Sequence, residues 1–293
     1  MVTLTINGQT VQVPAGTTIL EEAEKPVRAF SGGMRRRLAL IRALLAEEPR
    51  YRHVPVPEDA GEQRDLLRSL MNVRPPRPVS GEFLQIQDAY LGAERDRRGV
   101  VDGDQLPAVP GDPRIALWQG DITTLRVDAI VNAANSALLG CFYPLHGCID
   151  NIIHSRSGVQ LRLACHDIMT AQGHEEPTGG AKITPAFNLP CKHILHTVGP
   201  MISGAVRKQD REDLASCYRS CLQLAVENNC QSIAFCCIST GEFHFPHEPA
   251  AEIAVQTVTS FLHAQQADIR VIFNVFKDAD LRIYQQLLGV SAC

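Results

Sequence analysis

The chain predicts an α/β domain built on a largely covered central sheet, and three observations carry that prediction. From Arg114 onward, short apolar segments rich in β-branched residues alternate with longer segments of helical period. The short segments are apolar almost throughout, as strands covered on both faces are. Loops of small and polar residues follow the strands, and ligands of such sheets sit beyond the strand ends.

The elements follow in chain order. Residues 1–25 open with two alternating runs, Val2–Ile6 and Val11–Val13, joined through Asn7-Gly8, a strong hairpin signal. This opening resembles the first hairpin of the beta-grasp ferredoxin-type domain of NADH dehydrogenase large subunits. That domain holds its cluster on four cysteines, whereas the first cysteine here is Cys141, so no cluster is carried over. Phe30-Ser31-Gly32-Gly33-Met34 and the basic run behind it resemble the signature loop and helix of an ABC-type ATPase. No Gly-Lys-Ser/Thr phosphate loop accompanies it. The plainer reading is an N-capped helix with a basic exposed face. No chemistry is assigned to the first 50 residues. Two amphipathic helices follow at 58–72 and 81–96, separated by the proline-rich Met71–Ser80 break. Residues 101–112 read as a Gly/Pro/Asp linker. Strands are expected at Ile115–Trp118, Ala129–Asn132, Lys182–Thr184, Ile194–Val198, Ser232–Ile238 and Val271–Val275, with helices near 149–171, 210–228, 249–264 and 279–288. The organisation expected is an N-terminal extension over 1–51 (hairpin plus basic helix), a helical extension and linker over 52–112, and the α/β domain over 113–293.

Composition narrows the function classes. The chain has 293 residues, 45% hydrophobic and 20% charged, which suits a globular protein. A formal net charge of −4 and low aromatic content give no field for nucleic acid. No apolar stretch approaches the ~18 residues of a membrane span, and the N-terminus lacks signal-peptide character, so the expected location is the cytoplasm. All ten cysteines lie at or beyond Cys141, which does not suit a secreted disulfide scaffold and leaves most of them as small buried hydrophobes.

The densest chemistry lies in Gly140-Cys141-Phe142-Tyr143-Pro144-Leu145-His146-Gly147-Cys148. Zinc favours thiolate and imidazole ligands in a tetrahedral arrangement, and structural sites fill all four positions with protein. Cys141, His146 and Cys148 supply three ligands on one tight loop, which leaves a position open. His154 is a candidate fourth ligand, and a metal-free loop of reduced cysteines is the alternative. Around this loop stand Gly120-Asp121-Ile122-Thr123, Asn132-Ala133-Ala134-Asn135, His196-Thr197-Val198-Gly199-Pro200 and Ser239-Thr240-Gly241-Glu242-Phe243. Small residues let backbone N–H groups approach an anion, and Asp and Asn add side-chain hydrogen bonds.

In this order and spacing, these segments resemble the macrodomain family over about residues 114–290. The resemblance implies a three-layer α/β/α sandwich with a mixed central sheet, a cleft for ADP-ribose, and in many members removal of ADP-ribose from proteins. It implies that Asp121 accepts a hydrogen bond from the adenine amino group, with Ile122 beside it through its backbone. Asn135 holds the distal ribose, and Ser239, Thr240, Gly241, Glu242 and Phe243 cradle the pyrophosphate. Phe276 stacks on adenine, with a core plug as the other reading.

Common macrodomain hydrolases carry glycines where this chain has Cys141–Cys148. That departure, with the N-terminal helices and Leu70-Met71-Asn72-Val73-Arg74-Pro75-Pro76, resembles the zinc-dependent macrodomain subfamily of microbes, back to about residue 52. The implied activity is Zn2+-dependent hydrolysis of mono-ADP-ribose from acidic side chains of modified proteins. Asn135 orients the ribose, and Asp150 positions or deprotonates water or is simply a helix cap. Glu242 adds a carboxylate near the pyrophosphate or is merely exposed. Subfamily resemblance also implies a lipoyl carrier protein modified by a sirtuin-type transferase as target. The competing class is a reader that binds ADP-ribose around a structural zinc without turnover.

Overall fold

The computed structural model describes residues 2–6, 9–13 and 32–291. Strands β1 (Val2–Ile6) and β2 (Gln9–Val13) pair antiparallel in the register Val2 to Val13 and Ile6 to Gln9. The Asn7-Gly8 turn expected between them, and Phe30-Ser31, lie outside the described residues.

Three helices follow: α1 (Gly32–Glu47), α2 (Ala60–Val73) and α3 (Gly81–Arg98). The Asp59 carboxylate caps α2 by accepting from the Gly61 and Glu62 N–H groups, and Ser80 Oγ caps α3 by accepting from Phe83. Leu40, Ile41 and Leu44 of α1, Leu67 and Leu70 of α2, and Phe83 and Tyr90 of α3 form a core of their own. The basic helix is therefore not a detached appendage. Arg35 and Arg36 are exposed as expected, but Arg37 is buried, and its Nε and Nη2 donate to Gln63 Oε1 at 3.0 and 2.8 Å.

The segment expected as a linker is structured. Strand β3 (Val101–Asp102) pairs with β6 (Leu125–Arg126), and β4 (Ala108–Val109) pairs antiparallel with β5 (Asp112–Gln119). The remaining strands are β7 (Ala129–Ala134), β8 (Ala181–Pro185), β9 (His193–Val198), β10 (Ser232–Phe235) and β11 (Arg270–Val275). The seven-stranded sheet runs β4-β5-β11-β10-β7-β9-β8. Its five central strands are parallel, and both edges are antiparallel. All four residues of β10 are buried, as a doubly covered strand requires.

Helices α4 (Ile149–Ser157) and α5 (Val159–Gln172) pack on the sheet beside the N-terminal helices, and α6 (Lys208–Glu227), α7 (His247–Ala264) and α8 (Asp278–Leu288) pack side by side. The result is the expected three-layer α/β/α sandwich with a mixed sheet and a helical extension.

Two elements differ from expectation. The helix expected over 149–171 breaks at Gly158, whose φ of +108° disfavours any other residue. Gln87 Oε1 of α3 accepts the Val159 N–H there at 2.9 Å and ties the extension to α5. The strand expected to reach Ile238 ends at Phe235, because the apolar run continues while the backbone leaves the sheet for the cleft floor. No described helix is long and apolar enough to cross a membrane.

Candidate active site

The five parallel strands all end at one edge, and there the segments after β5, β7, β9, β10 and β11 enclose a cleft of about 500 Å³. That volume is in the usual range for small-molecule sites, roughly 300–1,000 Å³. Its walls bring together Asp121, Ile122, Asn135, Cys141, His146, Cys148, Asp150, Ser239, Thr240, Gly241, Glu242, Phe243 and Phe276. His154 is not among them.

Asp121 sits where β5 gives way to a single 3-10 turn, Ile122–Thr124. Its Oδ1 accepts from the Thr123 N–H at 3.1 Å and from Thr123 Oγ1 at 2.7 Å, and its Oδ2 pairs with Arg156. Burial raises its pKa, but the Arg156 charge and the Thr123 bonds outweigh burial and hold the carboxyl below its usual value. Ile122, beside Asp121 in the cleft wall, is buried. Phe276, just after β11, is 76% exposed, which removes the core-plug reading.

The loop after β10 turns through Ser239 in the left-handed region, φ +66°. Phe245 N–H donates to Ser239 C=O at 2.9 Å and Ile202 N–H to Phe243 C=O at 2.8 Å. The N–H groups of Gly241, Glu242 and Phe243 have no acceptor among the described residues, and all three residues line the cleft, so three successive backbone donors are available there. Gly199 makes this possible: a Cβ there would lie 2.0 Å from Ser239 Oγ and 2.9 Å from Ile238 Cγ2.

The Gly140–Cys148 loop lies at the other end of α4 from Arg156. Asp150 and Arg156 are six residues apart, so α4 spans about 9 Å of cleft wall at ~1.5 Å per residue. Cys141 Sγ and His146 Nδ1 are 3.6 Å apart, and the donor atoms of Cys141, His146 and Cys148 all lie within 4.8 Å of one another. His146 Nε2 faces Glu242 Oε1 at 3.6 Å, across the cleft. Burial pushes the Cys148 thiol up to about 12. Cys148, not Asp150, caps α4, its Sγ accepting the Asn151 N–H at 3.4 Å. Asp150 turns inward instead. Asn132 Nδ2 donates to its Oδ1 at 2.8 Å, and Asn135 Nδ2 approaches its Oδ2 at 3.4 Å. Burial raises the Asp150 pKa to about 6, partly offset by Asn132 and Arg162.

A second trio, His154, Cys165 and His196, lies in the core. His196 Nδ1 meets the Asn132 amide at 3.1 Å and its Nε2 meets Thr184 Oγ1 at 3.0 Å, so both ring nitrogens are engaged. Burial lowers the His196 pKa to about 4 and that of His154 well below its usual value. These are neutral core imidazoles, and His154 belongs with them and not with the Cys141 loop.

Sequence reasoning missed Arg156, Asn132, Asn151, Arg68 and Asn72. Asn132 stands three residues before Asn135 in Asn132-Ala133-Ala134-Asn135, with nothing to mark it as the partner of Asp150. Nothing local marks Arg156 as the partner of a residue 35 positions away.

Comparisons with known proteins agree with this geometry. The Macro domain family matches residues 131–254. A protein-ADP-ribose hydrolase of Treponema medium is 55% identical over 256 residues, covering 87% of this chain and 98% of the relative. That match is longer than residues 113–293, so it reaches into the helical extension. A protein-ADP-ribose hydrolase of Staphylococcus aureus (strain MSSA476) is 52% identical over 229 residues, 78% of this chain and 85% of the relative. Among solved structures, the Trypanosoma brucei macrodomain in complex with ADP-ribose superposes with a TM-score of 0.59 at 31% identity, covering 76% of this chain and 95% of that one.

Proposed function

The chain belongs to the macro domain family, and from that premise we propose that it is a zinc-dependent hydrolase removing mono-ADP-ribose from acidic side chains of modified proteins. Protein-ADP-ribose hydrolase activity is the coarser statement, and relatives more than half identical over most of the chain bear that name. The single observation that carries the finer reading is the Cys141, His146 and Cys148 trio in the same cleft wall as Asn135 and Asp150.

The donor set fits zinc: two thiols and an imidazole within 4.8 Å of one another, with a carboxylate, Glu242, behind the second imidazole nitrogen. Cys141, His146 and Cys148 would hold the ion. When bound, it would act as a Lewis acid or lower the pKa of a coordinated water.

The chain's own residues do the rest. Asp121 and the Ile122 backbone receive the adenine, with Phe276 free to stack on it. The three N–H groups of Gly241, Glu242 and Phe243 take the pyrophosphate. Asn135 orients the distal ribose. Asp150, buried and held by Asn132, takes a proton from the attacking water. Its raised pKa brings it nearer to neutrality than an ordinary carboxylate, where a general base works best. Subfamily resemblance supports a lipoyl carrier protein modified by a sirtuin-type transferase as the target.

The test is incubation of the purified protein with an aspartate- or glutamate-linked ADP-ribosylated protein, with and without a chelator. Release of ADP-ribose that the chelator abolishes and added zinc restores is expected. Binding without release by the metal-loaded protein would leave a reader instead of an enzyme.

A further inference from the structure

The loop carrying Cys141, His146 and Cys148 is not shaped by its own backbone. Among the described residues it has one internal backbone hydrogen bond, from His146 N–H to Tyr143 C=O at 3.3 Å. It also contains Leu145 at φ +58°, a conformation costly for leucine.

Two side chains of α2 supply what the loop lacks. Arg68 Nη2 donates to the His146 carbonyl at 2.6 Å and to Asn151 Oδ1 at 2.7 Å. Asn72 Oδ1 accepts the Leu145 N–H at 3.1 Å, and Asn72 Nδ2 donates to Ser155 Oγ at 2.8 Å. Arg68 and Asn72 are one helical turn apart on α2. Asn151 and Ser155 are one turn apart on α4, so two helix faces meet in register with the loop between them. Asn151 closes the circuit, its Nδ2 donating to the carbonyls of Cys141 and Tyr143 at 3.3 and 2.9 Å. Arg162 of α5 fixes the end of α2 by donating to the Met71 and Asn72 carbonyls at 3.1 and 2.8 Å.

We propose that Arg68 and Asn72 are positioning residues for the Cys141–Cys148 loop, so that the helical extension is a working part of the active site. The proposal rests on the reading of that loop as a zinc site. Neither residue reaches the cleft, and both act through the backbone of metal-ligating or neighbouring residues. The chemistry they serve is distance. Three donor atoms must be held at fixed separations before the ion arrives, and partners one shell out do this in metal sites generally.

The experiment uses the full-length chain and Arg68→Ala, Asn72→Ala and, as a helix control, Arg64→Ala. Arg64 lies one turn earlier on α2 and pairs with Glu94 at 3.5 Å. Zinc affinity is read by competition with a chromophoric chelator and ADP-ribose affinity by calorimetry. Thermal midpoint, kcat and KM complete the set. Arg68→Ala and Asn72→Ala are expected to weaken zinc binding by about 10- to 100-fold and to lower kcat. ADP-ribose affinity and the Arg64→Ala control should stay within about twofold of wild type. Zinc affinity and kcat unchanged in both variants would overturn the proposal, as would a parallel loss of ADP-ribose affinity, which marks general damage. If one variant fails to fold, the other decides. A wild-type chain that binds no zinc overturns the zinc reading along with this one. A wild-type chain that binds zinc, with indifferent variants, overturns this one alone.

Discussion

Two loops meet across the cleft, and they are built in opposite ways. The Ser239–Phe245 loop is held mainly by its own stretch of chain: Phe245 N–H donates to Ser239 C=O at 2.9 Å, His244 N–H to Gly241 C=O at 3.1 Å, and Thr240 Oγ1 to Cys237 C=O at 3.1 Å, with Ile202 N–H to Phe243 C=O at 2.8 Å added from outside. The Gly140–Cys148 loop is held by others. Arg68, Asn72 and Asn151 bind its backbone, and the Phe142 ring lies on the Arg162 guanidinium at 4.1 Å. The difference follows from what each loop presents. The first presents N–H groups, whose directions the backbone itself sets. The second presents the donor atoms of Cys141, His146 and Cys148, whose spacing must suit an ion on the proposed zinc reading, and a short segment with two glycines and a proline cannot hold that spacing alone. A self-contained loop can serve in a bare α/β domain, whereas the other needs the extra helical layer.

The sharpest attempt to break this contrast is Cys148→Ala. If the loop is a chemical site held from outside, the variant stays folded and loses turnover by more than about 100-fold, since even outer-shell partners are worth 10- to 100-fold. Its Sγ makes a 3.4 Å contact with the Asn151 N–H and meets the Cys141 thiol, both weak interactions, so the thermal midpoint should move little. Single-turnover hydrolysis and a melting curve decide. Collapse of the fold would mean that the loop needs its ion to hold its shape.

Gly199→Ala attacks the other loop. The new Cβ would sit 2.0 Å from Ser239 Oγ and 2.9 Å from Ile238 Cγ2, so these side chains and the loop that carries them must give way, at a cost of about 1–3 kcal/mol for overpacking. If that cost falls on the ligand-ready conformation, ADP-ribose affinity drops by about 10- to 100-fold. Zinc affinity should be untouched. Calorimetry with each ligand separates the two, and a joint loss would show that the loops are not independent.

The same contrast explains what was legible in the sequence. The α/β core was legible because continuous apolar runs and helical periods are local patterns, and the cleft residues were legible because they follow strands. The Ser239–Phe243 loop was legible through the order and spacing of several segments together, since Ser239-Thr240-Gly241 by itself reads as an ordinary turn. The supports of the Cys141–Cys148 loop were not. Arg68 and Asn72 are polar residues on a helix, which normally marks a wet face, and their partners lie 73 to 83 positions away. Arg37 was misread for the same reason: in a run of three arginines nothing says which one turns inward to Gln63. Gly158 sat inside a helical period, and only its positive φ shows the break.

Phe276→Ala sharpens the comparison at the adenine end. The ring is 76% exposed, so its loss should leave stability unchanged. An aromatic contact worth about 1 kcal/mol would cost ADP-ribose affinity roughly fivefold and leave zinc affinity alone. Unchanged affinity by calorimetry would remove Phe276 from the site.

The smallest effect tests a point where the loops meet. Glu242 Oε1 lies 3.6 Å from His146 Nε2, and its side chain is 64% exposed. A partner that far away and that wet contributes little, because solvent screens the charge and the side chain pays entropy to stay in place. Arg68, by contrast, is half-buried and binds the His146 carbonyl at 2.6 Å. Glu242→Gln should therefore weaken zinc binding by about threefold or less, well below the effect of Arg68→Ala. The chelator competition that ranks these two variants ranks the two loops. If Glu242→Gln matches Arg68→Ala, the metal loop takes its shape from across the cleft as much as from the helical extension, and the two loops are one unit.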